Sequence, residues 1–103
     1  MSYTSDVRVV KTDEYAEWID TLKDKAGRAC VLVRVERLIG GNPGQHRHLT
    51  DGVSELKIDF GPGYRVYYSQ RGTMLLLLLA GGDKSSQSKD IQLAVKLAKN
   101  FKE

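Results

Sequence analysis

Two hydrophobic periods divide this chain. Between Val53 and Phe60 apolar and polar side chains alternate, with Leu56, Ile58 and Phe60 to one side and Glu55, Lys57 and Asp59 to the other. Tyr64 to Gln70 alternates again, setting Tyr64, Val66 and Tyr68 against Arg65, Tyr67 and Ser69. A period of two belongs to a half-buried strand. Met74 to Ala80 does not alternate. Its five consecutive leucines predict a strand buried on both faces, at the centre of a sheet. Glycine-bearing turns, Gly61-Pro62-Gly63 and Arg71-Gly72, separate the three runs.

Upstream the period changes. Val7 and Val9 alternate with Arg8 in a short strand from Asp6 to Lys11. Thr12 suits an N-cap, and Asp13 and Glu14 follow in the first turn, where carboxylates favour the helix dipole. Tyr15, Trp18, Ile19 and Leu22 then recur at helical spacing and predict an amphipathic helix to about Asp24. Its Trp18 stripe is either core packing or a face that a partner covers. The next segment fits both periods. Val31, Val33 and Val35 alternate as in a strand, whereas Val31, Leu32, Val35, Leu38 and Ile39 form one helical stripe. The stripe uses more residues and stops at Gly40-Gly41, so a second helix is predicted, completing a helical hairpin. Gly40 to Gly52 reads as a loop. After the strands, a last helix is capped by Ser85 or Ser86 and carries Ile91, Ala94, Val95 and Ala98 as its core stripe. The expected order is strand, two helices, three antiparallel strands and a helix: an α+β fold in one domain, residues 1–103.

The hairpin turn suggests a register. If Phe60 pairs with Tyr64 across the three-residue turn, Ile58 meets Val66 and Leu56 meets Tyr68. On the other face Asp59 then meets Arg65 and Lys57 meets Tyr67. A slip of one residue would turn the apolar set into water. The face left over is expected to be outside the core and to gather Lys57, Arg65 and Tyr67. Two readings of Arg65 stand at this point: a cross-strand ion pair with Asp59, or a group free to bind an anion.

Composition narrows the classes. At 103 residues the chain is long enough for a modest core without staples. Its longest apolar run is far shorter than a membrane span. Met1 to Asp6 has neither a basic start nor an apolar core, so no secretory signal is expected. The single cysteine, Cys30, precludes an internal disulfide and fits a cytoplasmic protein. A net charge of +3 is mild, but from Arg34 onward bases outnumber acids, while Asp13 to Asp24 is acidic.

Several residues carry candidate chemistry. Gln45-His46-Arg47-His48 is the densest basic and imidazole cluster. His46 and His48 lack the further ligands a zinc site needs, so no metal is expected there. Arg34 and Arg37 lie one turn apart on the flank of the second helix. Gly81-Gly82-Asp83-Lys84-Ser85 lacks P-loop spacing, but a glycine turn before a helix is a suitable anion seat.

The runs ELKIDFGPGYRVYY and GGDKSSQSKDI, with the leucine strand between them and GGNPG and DGVSEL before them, resemble the RelE/ParE toxin superfamily. Within it they look most like the HigB-like addiction module killer proteins of bacterial type II toxin–antitoxin systems. The resemblance runs from about Val7 to Phe101. It implies a RelE-like fold and metal-independent cleavage of mRNA, often on the ribosome, with no cofactor. It also implies inhibition by a cognate antitoxin encoded next to it, of helix-turn-helix type. By its motifs Arg65 matches the arginine that contacts the scissile phosphate. Lys57 and Lys84 match basic catalytic positions, and Arg47 a basic residue in the loop before the sheet. His46, His48, Tyr67, Arg34 and Arg37 join Arg47 as candidate RNA contacts. The tyrosine or C-terminal histidine that relatives use for proton transfer is absent: Ser88, Lys89 and Asp90 occupy that region. Two alternatives stay open, a ParE-type poison of DNA gyrase and an inactive relative kept for antitoxin binding.

Overall fold

The computed structural model describes residues 7–102. The elements are β1 (Arg8–Lys11), α1 (Asp13–Thr21), α2 (Lys25–Ile39), β2 (His46–His48), β3 (Ser54–Ile58), β4 (Tyr64–Arg71) and β5 (Leu75–Gly82), then a 3-10 turn (Lys84–Ser86) and α3 (Gln87–Asn100). They form a small α+β domain around one five-stranded mixed sheet of order β1-β5-β4-β3-β2. β1 runs parallel to β5, and every other pair is antiparallel. Val31 to Ile39 is helical, as its longer stripe predicted. The expectations about Met1 to Asp6 lie outside the described residues. Among the described residues no helix is long and apolar enough to cross a membrane.

Three expectations are corrected. First, the loop from Gly40 to Gly52 contains the short strand β2, paired with β3 through His46↔Leu56, Arg47↔Glu55 and His48↔Ser54. A three-residue strand of wholly exposed polar side chains has no apolar alternation to reveal it.

Second, the β3–β4 register lies two residues from the expected one. Ile58 pairs with Tyr64, Leu56 with Val66, Lys57 with Arg65 and Glu55 with Tyr67. The connection is longer than three residues because Asp59 and Phe60 join it. Their backbone turns early, with Phe60 N–H donating to Ile58 O and Gly63 N–H to Phe60 O, and Gly61 and Gly63 take φ of 56° and 81°. A two-residue shift keeps each side chain on its predicted face. It changes every partner, however: Asp59 leaves the ladder, and Lys57 faces Arg65.

Third, the face expected to be outside the core is covered by α3. α1 and α2 pack on one side of the sheet over Leu56, Ile58, Tyr64, Val66, Leu76 and Leu78. On the other side Ala94 and Ala98 of α3 cover Val53, Tyr67, Leu77 and Leu79. Small alanines let the helix lie close to the sheet, and Tyr67 beneath it is fully buried. The leucine run is thereby buried on both faces, as predicted. Trp18 packs between Tyr15 and Tyr64, with ring centroids 6.1 and 6.3 Å away, and presses on the Gly81 backbone so closely that a Cβ there would collide with it.

The caps explain where the helices begin. Thr12 Oγ1 accepts the Tyr15 N–H and donates to Leu79 O at 2.6 Å, which ties the start of α1 to β5. Ser86 takes the N-cap position of α3, as expected, but makes no side-chain capping bond there. The side-chain cap comes at the 3-10 turn before it, where the Asp83 carboxylate accepts the Ser85 N–H at 2.8 Å, in a capping box with Ser86. Asp24 caps α2 through the Gly27 N–H at 3.0 Å and also accepts the Tyr64 hydroxyl at 2.8 Å. Burial and this bond push the Tyr64 pKa up to about 12. The Gly27 N–H, then the Tyr64 hydroxyl, hold the Asp24 carboxyl below its ordinary value.

Because the folded-state pKa of Asp24 is depressed, its contribution is complete well above 3.8 and is lost as pH falls through the folded value. Asp24→Ala should therefore lower Tm at neutral pH, and the gap from wild type should close on acidification. Thermal melts between neutral pH and about pH 2 measure this; a gap that stays constant down to the acid limit contradicts it.

Candidate functional site

Glu55 organises the polar end of the sheet. It sits mid-strand in β3, 3% exposed, on the face that α3 covers. A carboxylate at such depth requires partners. Arg65 Nε lies 3.5 Å from Oε1, Arg47 Nη2 lies 3.3 Å from Oε2, and Gln87 Nε2 donates to Oε1 at 3.0 Å. Arg47 stands directly across the β2–β3 ladder, Arg65 comes from β4, and Gln87 is the first residue of α3. Three other elements thus converge on one side chain of β3.

Arg65 is itself 5% exposed. Its Nη1 donates to Gly63 O at 3.0 Å, and Nε reaches Glu55 without the alignment of a hydrogen bond. The guanidinium is thus held by its charge partner and by the backbone of the preceding turn. It is paired with Glu55, not Asp59, which settles the two readings of this residue differently from either. Beside it opens a cavity of about 330 Å³ lined by Gln45, His46, Arg47, Glu55, Lys57, Arg65 and Gln87. Four of the sequence candidates, His46, Arg47, Lys57 and Arg65, therefore share one concavity.

The others lie elsewhere. Lys84 is exposed on the 3-10 turn beside Gly63 and does not line this cavity. Tyr67 is buried under α3, where desolvation, then the Glu55 carboxylate, push its pKa far up; its ring has no face open to a base. Arg34 is a structural clamp: Nη1 donates to Lys57 O at 2.8 Å and Nη2 to Pro43 O and Gln45 O at 3.0 and 2.8 Å. It pins the loop before β2 and the end of β3 to α2. Arg37 lines an apolar groove with Cys30, Val33 and Phe60, away from the polar cavity. His48 opens onto a different cavity on the opposite face of the sheet.

Sequence reasoning missed Glu55 and Gln87. Glu55 stands in the quoted runs as a polar residue of an alternating strand with no role of its own, and burial at that position depends on α3. Gln87 lies within the GGDKSSQSKDI run, but nothing in that run singles it out as a partner for a residue of β3. His46 gains a more specific place than its loop suggested. Its Nδ1 lies 2.7 Å from Gly44 O, and a carbonyl only accepts, so Nδ1 carries the proton and Nε2 holds the lone pair in the neutral ring. Lys57 extends from the position directly across from Arg65 and is exposed.

Removing one member of a buried ion pair strands the other. Glu55→Ala should cost about 3–5 kcal/mol of stability by exposing the chain to an unpaired buried arginine. The double variant Glu55→Ala/Arg65→Ala should cost clearly less than the sum of the two singles. Urea unfolding of the four proteins in the cycle measures both; strict additivity would show that the pair does not interact.

No protein-family model matches this sequence. A protein of Haemophilus influenzae (strain ATCC 51907 / DSM 11121 / KW20 / Rd), described as uncharacterized, is 41% identical over 95 residues, covering 92% of this chain and 96% of its own. At that identity and coverage the chain belongs to the same family as the Haemophilus influenzae protein.

Proposed function

We propose that this chain is the toxin of a type II toxin–antitoxin pair and acts as a metal-independent, ribosome-dependent mRNA endonuclease. One observation carries the reading: Arg65, Lys57, Arg47 and His46 line a single cavity around a guanidinium that is fixed before any ligand arrives. The sequence resemblance to HigB-like members of the RelE/ParE superfamily supports it from a separate direction.

The chemistry follows from these groups. RNA is cut when its 2′-hydroxyl attacks the adjacent phosphorus and the 5′-oxygen leaves, giving a 2′,3′-cyclic phosphate. Negative charge collects on the phosphate oxygens in the transition state, where preorganised cations stabilise it most. Arg65 supplies such a cation, already desolvated and oriented by Glu55 and Gly63 O. Its planar fork suits two oxygens of one phosphate. Lys57, across the ladder, adds a second cation and a proton for the leaving oxygen. His46, with its proton on Nδ1, offers Nε2 to take the 2′ proton. It fills the proton-transfer role for which the sequence showed no C-terminal tyrosine or histidine. Glu55 is an orienting group, since both of its oxygens are engaged. A free mRNA nuclease is lethal, so an inhibitory antitoxin encoded beside it is part of the proposal.

Burial of Arg65 makes the alanine variant a poor test, because it would strand Glu55. Arg65→Lys keeps the charge and loses the fork. It should lower cleavage by about 10²–10³, and His46→Gln should lower it comparably while leaving the thermal melt near wild type. Primer extension on transcripts from induced cells, with and without chelator, reads this out. Equal growth arrest by wild type and Arg65→Lys, with transcripts intact and supercoiling stalled, would instead assign the chain to the gyrase poisons.

A further inference from the structure

A second cavity lies on the other side of the edge strand. Adjacent residues of a strand point to opposite faces, so β2 presents Arg47 towards Glu55 on the α3 face and His48 towards Ser54 on the α2 face. The His48 side opens into a space of about 440 Å³, whose walls include His46, His48, Ser54, Tyr68 and Gln70. His46, at the start of β2, also lines the polar cavity beside Arg65. The two cavities therefore meet at one imidazole.

The second space has the makings of a base-binding site. Its volume falls within the range of about 300–1,000 Å³ usual for small-ligand sites. The His46 and His48 rings stand edge to face with centroids 5.6 Å apart, and both residues are exposed, so imidazole rings are present for a base to stack on. His48 is fixed by a 2.7 Å bond between Nδ1 and the hydroxyl of Ser54, a buried residue. Tyr68 is 4% exposed, and burial pushes its pKa up, so its hydroxyl remains a hydrogen-bond donor. Gln70, exposed on the same strand, brings both a donor and an acceptor. Stacking on a ring combined with a mixed polar edge is how proteins hold an unstacked base of single-stranded RNA.

We propose that this cavity binds a nucleobase of the RNA next to the scissile phosphate, the strand crossing β2 at His46 so that its phosphate meets Arg65 and its base enters beside His48. The site sets sequence preference, while the Arg65 cavity performs the cleavage. The inference rests on the nuclease reading for its substrate, but the base site is testable without any cleavage.

The test has two arms on the same protein. In the first, adenosine, guanosine, cytidine and uridine are titrated separately and followed by amide and imidazole NMR shifts, with inorganic phosphate as a second probe. The expected result is saturable binding that differs at least several-fold among the four nucleosides. Shifts should centre on His48, Ser54 and Gln70, persist at saturating phosphate, and be lost in His48→Ala and in Gln70→Ala. Both residues are exposed, and thermal melts of the variants confirm that they fold. In the second arm, cleavage of a transcript library is compared between wild type and the two variants. The ratio of cleavage at preferred to other sites should fall about tenfold, the discrimination one good base contact provides. Absence of nucleoside binding, or binding that neither variant weakens, overturns the base site. If nucleosides bind selectively but wild type cuts no RNA, the base site stands and the nuclease reading falls.

Discussion

Leu75 to Ala80 lie under helices on both faces of the sheet, and no charged side chain is found in that strand. Helices must then cover both sides, α1 and α2 on one and α3 on the other. β4, next to β5, inherits the same double cover along most of its length, which is why Tyr67 is buried and Ser69 with it. Cover ends where α3 begins. Gln87 marks that boundary, and at this end of the sheet β3 and β4 carry Glu55, Lys57 and Arg65 instead of leucines. The polar cavity is therefore an edge effect of the core. It borders the apolar centre, and there the buried Glu55 and Arg65 are paired with each other.

That depth gives the site its character. An exposed surface arginine would keep its rotamer freedom and its hydration. Arg65 has given up both during folding, held by Glu55 and by the carbonyl of Gly63. The turn thus does more than reverse the chain. Its left-handed glycines place a carbonyl against the guanidinium, so that the loop and the catalytic candidate are one unit. A similar economy holds for Arg34, whose three carbonyl contacts fix the loop that carries His46 and Arg47. Arg34 serves the scaffold, and through it Arg47 and His46 are held at the cavity.

Most of the elements were legible in the amino-acid sequence, because burial imposes a period on it. The leucine run announced a doubly buried strand, the Val31–Ile39 stripe a helix, and Thr12 the start of α1. The face on which Lys57 and Arg65 lie also followed from alternation alone, and survived a register error, since shifting by two residues preserves parity. What alternation does not encode is how many residues a loop takes. Asp59 and Phe60 fit the strand pattern, yet the glycines beyond them draw both into the turn.

The sequence by itself therefore determined which residues are apolar, at what period, and hence which segments are strands or helices and which of their faces turn inward. Tertiary structure alone decided that α3 covers the second face, burying Tyr67 and Glu55. It also decided that Arg65 pairs with Glu55 across the β3–β4 ladder, and that His46 from an exposed three-residue edge strand lines the cavity next to them. The physical reason is range. Periodicity is a local record of one element's contact with the core, whereas a charge partner, a covering helix and an edge strand arrive from elsewhere in the chain. Their positions are set by packing that no single segment contains.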